Sequence, residues 1–134
     1  MAPSQTDLEA GIARYNAGDF FAAHEYWEID WRRLPAPERA QVQAGILVCG
    51  VFVLLDKGRL EPAVRLAKLA VERFAEAAAE SRLLGHEPRL QLPDAEDRML
   101  RFLARVEVPG FEARAVAELR LEFSQGLRAI LATP

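Results

Sequence analysis

Residues 44–55 read Ala44-Gly-Ile-Leu-Val-Cys-Gly-Val-Phe-Val-Leu-Leu55, twelve positions without one charged or amide side chain. A run of this kind has to be buried on most of its sides. A membrane span needs about 20 apolar residues, so the run alone is too short for one. Val48, Val51 and Val53 suit a pleated strand. The polar run-in from Glu38 to Gln43 makes the whole segment longer than a typical strand, and the expectation is a central helix.

Punctuation on either side extends that expectation. Pro35 and Pro37 stop whatever precedes the segment, because proline lacks an amide and crowds the previous turn, and Pro37 suits the first turn of the new helix. Gly58 ends it, and Pro62 opens a fourth helix that reaches about Leu84 and stops at Gly85. Alanines at 63, 67, 70, 75, 77, 78 and 79 make this fourth helix slim enough for close packing.

Upstream, Thr6 and Glu9 form a capping pattern for a first helix in which Leu8, Ile12 and Tyr15 recur at helical spacing until Gly18. Asp19 then caps a second helix expected to run to Leu34. Downstream, residues 86–93 compose a loop, and Asp94 caps a fifth helix with an apolar stripe of Met99, Phe102, Leu103 and Val106. Pro109 and Gly110 break it, and Val116, Leu119, Phe123 and Ile130 predict a sixth helix that docks. The expected fold is all-α: a compact bundle of about six helices built from helix hairpins, forming one domain over residues 1–134.

Residues 16–23 and 56–63 are faintly alike, with Gly18 matching Gly58 and Ala23 matching Ala63. Each is a helix end, a glycine, an apolar residue and a small residue, as in tetratricopeptide-type hairpins. The 40-residue offset exceeds that repeat's period of about 34 and only two hairpins are evident, so a solenoid is not expected and two unrelated glycine-ended helices are the favoured reading.

With 20 acidic groups against 17 basic, a net charge of −3 and 51% hydrophobic residues, the chain can bury a core but lacks the cationic excess used on nucleic acids or anionic membranes. Neither is expected as a partner. Cys49 is the one cysteine, so no internal disulfide forms, and the start of the sequence has no secretory pattern. A cytoplasmic location is the expectation. Cys49 is expected to be an inert small hydrophobe and His86 a solvated loop residue. Glu72, Glu76 and Glu80 form an acidic ridge, and Arg98, Arg101 and Arg105 a basic one.

Function hangs on the second helix. Phe20, His24, Trp27, Trp31 and Leu34 are spaced four, three, four and three apart, which puts them on one helical face, with Glu28 about 40° beyond His24. A carboxylate shut among aromatic rings must be paired, and His24 is its nearest donor. A buried His24–Glu28 contact is expected, with Glu25 toward the outer edge.

The stretch Tyr15-Asn-Ala-Gly-Asp-Phe-Phe-Ala-Ala-His-Glu25, continuing through Glu28 to Trp31, resembles the domain of unknown function 309 family, whose hallmark is His-x-x-x-Glu-x-x-Trp. The resemblance covers residues 8–69. It implies an all-helical fold and a metal-binding role for His24 and Glu28, and it supplies no established reaction. The family's third helix carries a glutamine, a histidine and a final Gly-Asn. Here Gln43 and Gly58 remain, while the other positions fall near Leu47, Val53 and Arg59, so polar groups facing His24 are missing.

Three uses of the pair stay open: a metal site, a structural buried pair and a small-molecule pocket. His and Glu at i and i+4 can reach one ion, but a catalytic zinc takes three protein ligands, so His86, Glu87, Cys49 or Glu25 would have to complete the set. The favoured expectation is a non-enzymatic interaction or scaffold module with a His24/Glu28/Trp31 cluster, its partner another protein or a second copy. The alternative is a divalent-metal protein or metal-dependent hydrolase, with Glu25 or Tyr26 assisting proton transfer. Trp27 completes the candidate residues.

Overall fold

The computed structural model describes residues 5–29 and 31–107. They form five α-helices and, among the described residues, no strand: α1 (Gln5–Asn16), α2 (Phe20–Glu28), α3 (Glu38–Asp56), α4 (Leu60–Leu84) and α5 (Ala95–Val106), with a 3-10 turn at Trp31–Arg33. The sixth helix and the break at Pro109 and Gly110 lie outside the described residues, while Thr6, expected to cap α1, already lies inside that helix, which includes Gln5.

The apolar run is a helix. In α3, Ala44, Gly45, Ile46, Val48, Cys49, Val51 and Phe52 are buried, while Leu47, Val53, Leu54 and Leu55 pack partly buried around the same core. By length and composition α3 is long and apolar enough to cross a membrane, and 61% of its most apolar window is buried inside the protein. Each helix packs on the next in sequence, α3 against α4 most extensively. Small residues allow that approach: Ala63, Ala67, Ala70 and Ala77 form the buried stripe of α4. A β-carbon added to Gly50 of α3 would lie 2.8 Å from Leu66 Cδ1.

The turns at Gly18 and Gly58 are one structure used twice. After α1, Gly18 N donates to Tyr15 O and Asp19 N to Arg14 O; after α3, Gly58 N donates to Leu55 O and Arg59 N to Leu54 O. This pair of bonds satisfies the last carbonyls of a helix and requires a left-handed residue, which the glycines supply at φ 83° and 71°. Ala23 and Ala63, five residues on, are both fully buried. The resemblance between the two segments is therefore a shared local geometry.

The second helix is shorter than its spacing suggests. It ends at Glu28, and Ile29 N turns back to Tyr26 O at 3.4 Å before the 3-10 turn, where Leu34 N donates to Trp31 O at 3.2 Å. The tighter winding takes Trp31 and Leu34 off the register of α2, so the five-residue face read from spacing is broken after Trp27. Asp94 precedes α5 as expected, but its backbone is left-handed and its side chain makes no cap bond. Glu72 and Glu76 pair with Arg73 of their own helix, and Arg101 pairs with Asp97.

The loop after α4 is anchored. Glu38, at the start of α3, is 6% exposed, and its carboxylate accepts hydrogen bonds from the backbone amides of Arg89 and Leu90, 51 and 52 positions on. Arg89 Nε lies 3.6 Å from the same carboxylate. Leu90 and Leu92 are buried, so the loop closes one end of the core.

Candidate functional site

Helix α2 is held at its start by Asp19, whose Oδ1 accepts from Ala22 N at 3.2 Å. Its buried residues are Phe20, Ala23 and Trp27. Trp27 is 2% exposed and its indole Nε1 donates to Leu8 O at 3.3 Å. Rings continue from it across three helices: Trp27 meets Tyr15 at 5.5 Å, Tyr15 meets Phe20 edge-on at 5.5 Å, and Phe20 stacks on Phe52 at 4.6 Å. Trp27 is thus a core residue, wedged between α1 and α3. A β-carbon on Gly11 would lie 2.1 Å from its Nε1, and one on Gly45 would lie 3.0 Å from its ring.

His24 and Glu28 do meet, with His24 Nε2 3.5 Å from Glu28 Oε1, but their side chains are 35% and 44% exposed. The expectation of a buried pair is corrected. At 100° per residue the buried face of α2 centres between Ala23, Trp27 and Phe20, which leaves His24 about 70° and Glu28 about 110° off that centre. That places both groups at the helix's shoulder, where water carries most of the cost of their charge. Phe21, the ring 5.8 Å from His24, is itself 57% exposed. Glu25 is exposed and Tyr26 half-buried.

Trp31 is half-buried on the 3-10 turn, with the guanidinium carbons of Arg32 and Arg39 at 5.2 and 5.8 Å from its ring centre. It lines a cleft that also takes in Gln43. The motif residues His24 and Glu28 are not among the residues lining that cleft.

The candidates for completing a metal set are dispersed. Cys49 is sealed in the core, where burial pushes its thiol far above the ordinary range. His86 and Glu87 are exposed on the loop after α4, the His86 Nδ1 3.5 Å from Glu87 O. Among the described residues no group of three or more His, Cys, Asp or Glu side chains is placed to hold a metal ion. The described donors therefore do not fit the metal that the resemblance implies.

Two residues escaped the sequence reading. Glu38 looked like part of a polar run-in, and its partners are too distant in sequence to signal its role. Arg73 sits among the glutamates of α4, and its buried Nε is without an acceptor among the described residues.

No curated protein and no solved structure matches the chain. Residues 8–66 match the family described as Domain of unknown function (DUF309). The match opens in α1 with Leu8, spans the His24–Glu28 pair and all of α3, and stops inside α4. Over this segment, and not over the rest of the chain, the protein is similar to the DUF309 family.

Proposed function

We propose that the protein is a non-enzymatic interaction module whose working surface is the outer face of α2. The observation that carries this is the exposure of two large apolar side chains, Phe21 at 57% and Ile29 at 56%. Glu25 and Glu28 stand on the same 100° arc, so acidic and apolar groups alternate across the face. Its complement is a segment of another protein with an apolar stripe flanked by Lys or Arg. The two like-built turns at Gly18 and Gly58 support a scaffold that presents one helix face.

The test is a photo-crosslinking residue placed at Phe21 in the full chain, expressed in its cell of origin. One discrete adduct, lost when Glu25 and Glu28 are both changed to Lys, is the expected result. An adduct of twice the chain's mass would assign the face to self-association, and the absence of any adduct would remove the proposal.

A further inference from the structure

We propose that the cleft between the 3-10 turn, α3 and α4 is a binding site for a small zwitterion of the amino-acid type. The cleft has a volume of about 530 Å³, within the range of about 300–1,000 Å³ usual for small-ligand sites. It shares no residue with the α2 face described above.

Its polar wall is mixed in charge. Arg39 and Gln43 come from the first turns of α3, and Arg73, Glu76 and Glu80 from α4, where spacings of three and four put them on one face. Arg73 uses Nη1 on Glu76 Oε2 at 2.7 Å and has Nη2 3.7 Å from Glu72. Its Nε is cut off from water and has no acceptor among the described residues. A carboxylate suits the exposed Arg39, since a guanidinium edge binds planar oxyanions by two parallel bonds.

Charge balance decides the class of ligand. The two guanidinium groups and two carboxylates of the wall cancel, so a simple anion attracted by Arg39 and Arg73 would be repelled by Glu76 and Glu80. A molecule with a carboxylate and an ammonium group a few bonds apart meets both signs at once. Trp31, Leu34 and Ala40 supply an apolar surface for its body.

Trp31 makes the test direct, because it lies in the cleft while Trp27 is sealed in the core. The full chain is titrated with the standard amino acids one at a time to about 10 mM, a level that saturates even a millimolar site. Indole fluorescence and calorimetry are read together, and Trp31→Phe serves to assign the optical signal. At least one amino acid binds saturably, and its des-amino acid and decarboxylated amine bind at least about tenfold more weakly. Arg39→Gln, an exposed position, weakens binding about tenfold with an unchanged melting temperature, and Arg73→Gln weakens it as well. Absence of binding by every amino acid overturns the proposal. So does sulfate or the des-amino acid binding as tightly as the amino acid, which would make the cleft an anion site.

Discussion

Trp27 lies across Gly11: the indole Nε1 reaches the carbonyl of Leu8, one turn earlier in α1, and a methyl group on Gly11 would stand 2.1 Å from that nitrogen. The contact locks α1 to α2 and leaves no room for a side chain. Gly11→Ala would raise helix propensity by up to about 1 kcal/mol. The clash with a buried ring outweighs this, and the variant should lose about 1–3 kcal/mol net, measured by urea unfolding. A variant at least as stable as the parent would show that the indole can move aside.

Replacement of His24 should be mild. The pair it forms with Glu28 is half in water, and exposed i,i+4 ion pairs contribute about 0.3–0.5 kcal/mol. His24→Ala should therefore shift stability by less than about 0.5 kcal/mol, where a sealed pair would cost about 1–3 kcal/mol. Thermal melts of the two proteins at low salt distinguish these values.

Glu38 is the opposite case. Its carboxylate is buried and holds two loop amides, so Glu38→Gln trades charge-assisted bonds for weaker ones and leaves one amide poorly served. A loss of about 1–3 kcal/mol is expected. Hydrogen exchange should accelerate first at the amides of Arg89 and Leu90. Exchange there unchanged from the parent would contradict the anchoring role.

Alkaline pH should weaken the fold. Burial raises Cys49 from an ordinary 9.0 and Tyr15 from an ordinary 10.0, with the nearby Cys49 charge adding to the shift on Tyr15. Both acids keep their protons in the folded chain and lose them in the unfolded one. The unfolded state is therefore favoured once pH passes the unfolded value, and stability is whole below that point and falls above it. Each group contributes about 1.4 kcal/mol per pH unit, so urea melts at about pH 10.5 should show roughly 3 kcal/mol less stability than at neutral pH, mostly from Cys49. Cys49→Ser should flatten most of that slope, and the native thiol should resist maleimide until the chain unfolds.

Divalent metal should leave the protein unmoved. His24 and Glu28 provide two donors where a structural or catalytic site needs more. Melting temperatures with a chelator and with excess Zn²⁺ or Mn²⁺ should agree, since binding to the folded state alone would raise them.

Much of the fold was legible because its boundaries are written in residues whose backbone limits are local. Gly18, Gly58 and Gly85 take the left-handed conformation at the ends of α1, α3 and α4. Pro37 and Pro62 lie at or near the starts of α3 and α4. The end of α2 carries no such mark. The apolar spacing runs on to Trp31 and Leu34, although the backbone there is a 3-10 turn. The helical wheel named the residues on the core side of α2 correctly in Phe20 and Trp27. It misplaced Glu28, because the width of a buried face depends on the neighbour, here α1 and α3 closing on Trp27 through Gly11 and Gly45. Glu38 and Arg73 were hidden for the same reason, their meaning lying in other segments.

The grip of Glu38 on residues 89 and 90 bears on the segment 8–66 by which the family is recognised. That stretch ends inside α4, before Ala67, Ala70 and Phe74, and it excludes Leu90 and Leu92. Excised on its own, it would leave Cys49 and Phe52 beneath only the first two turns of α4 and Glu38 without its amides. What is recognisable in the alphabet of residues is smaller than what can stand alone in water, and any dissection of this protein should cut no earlier than the end of α5.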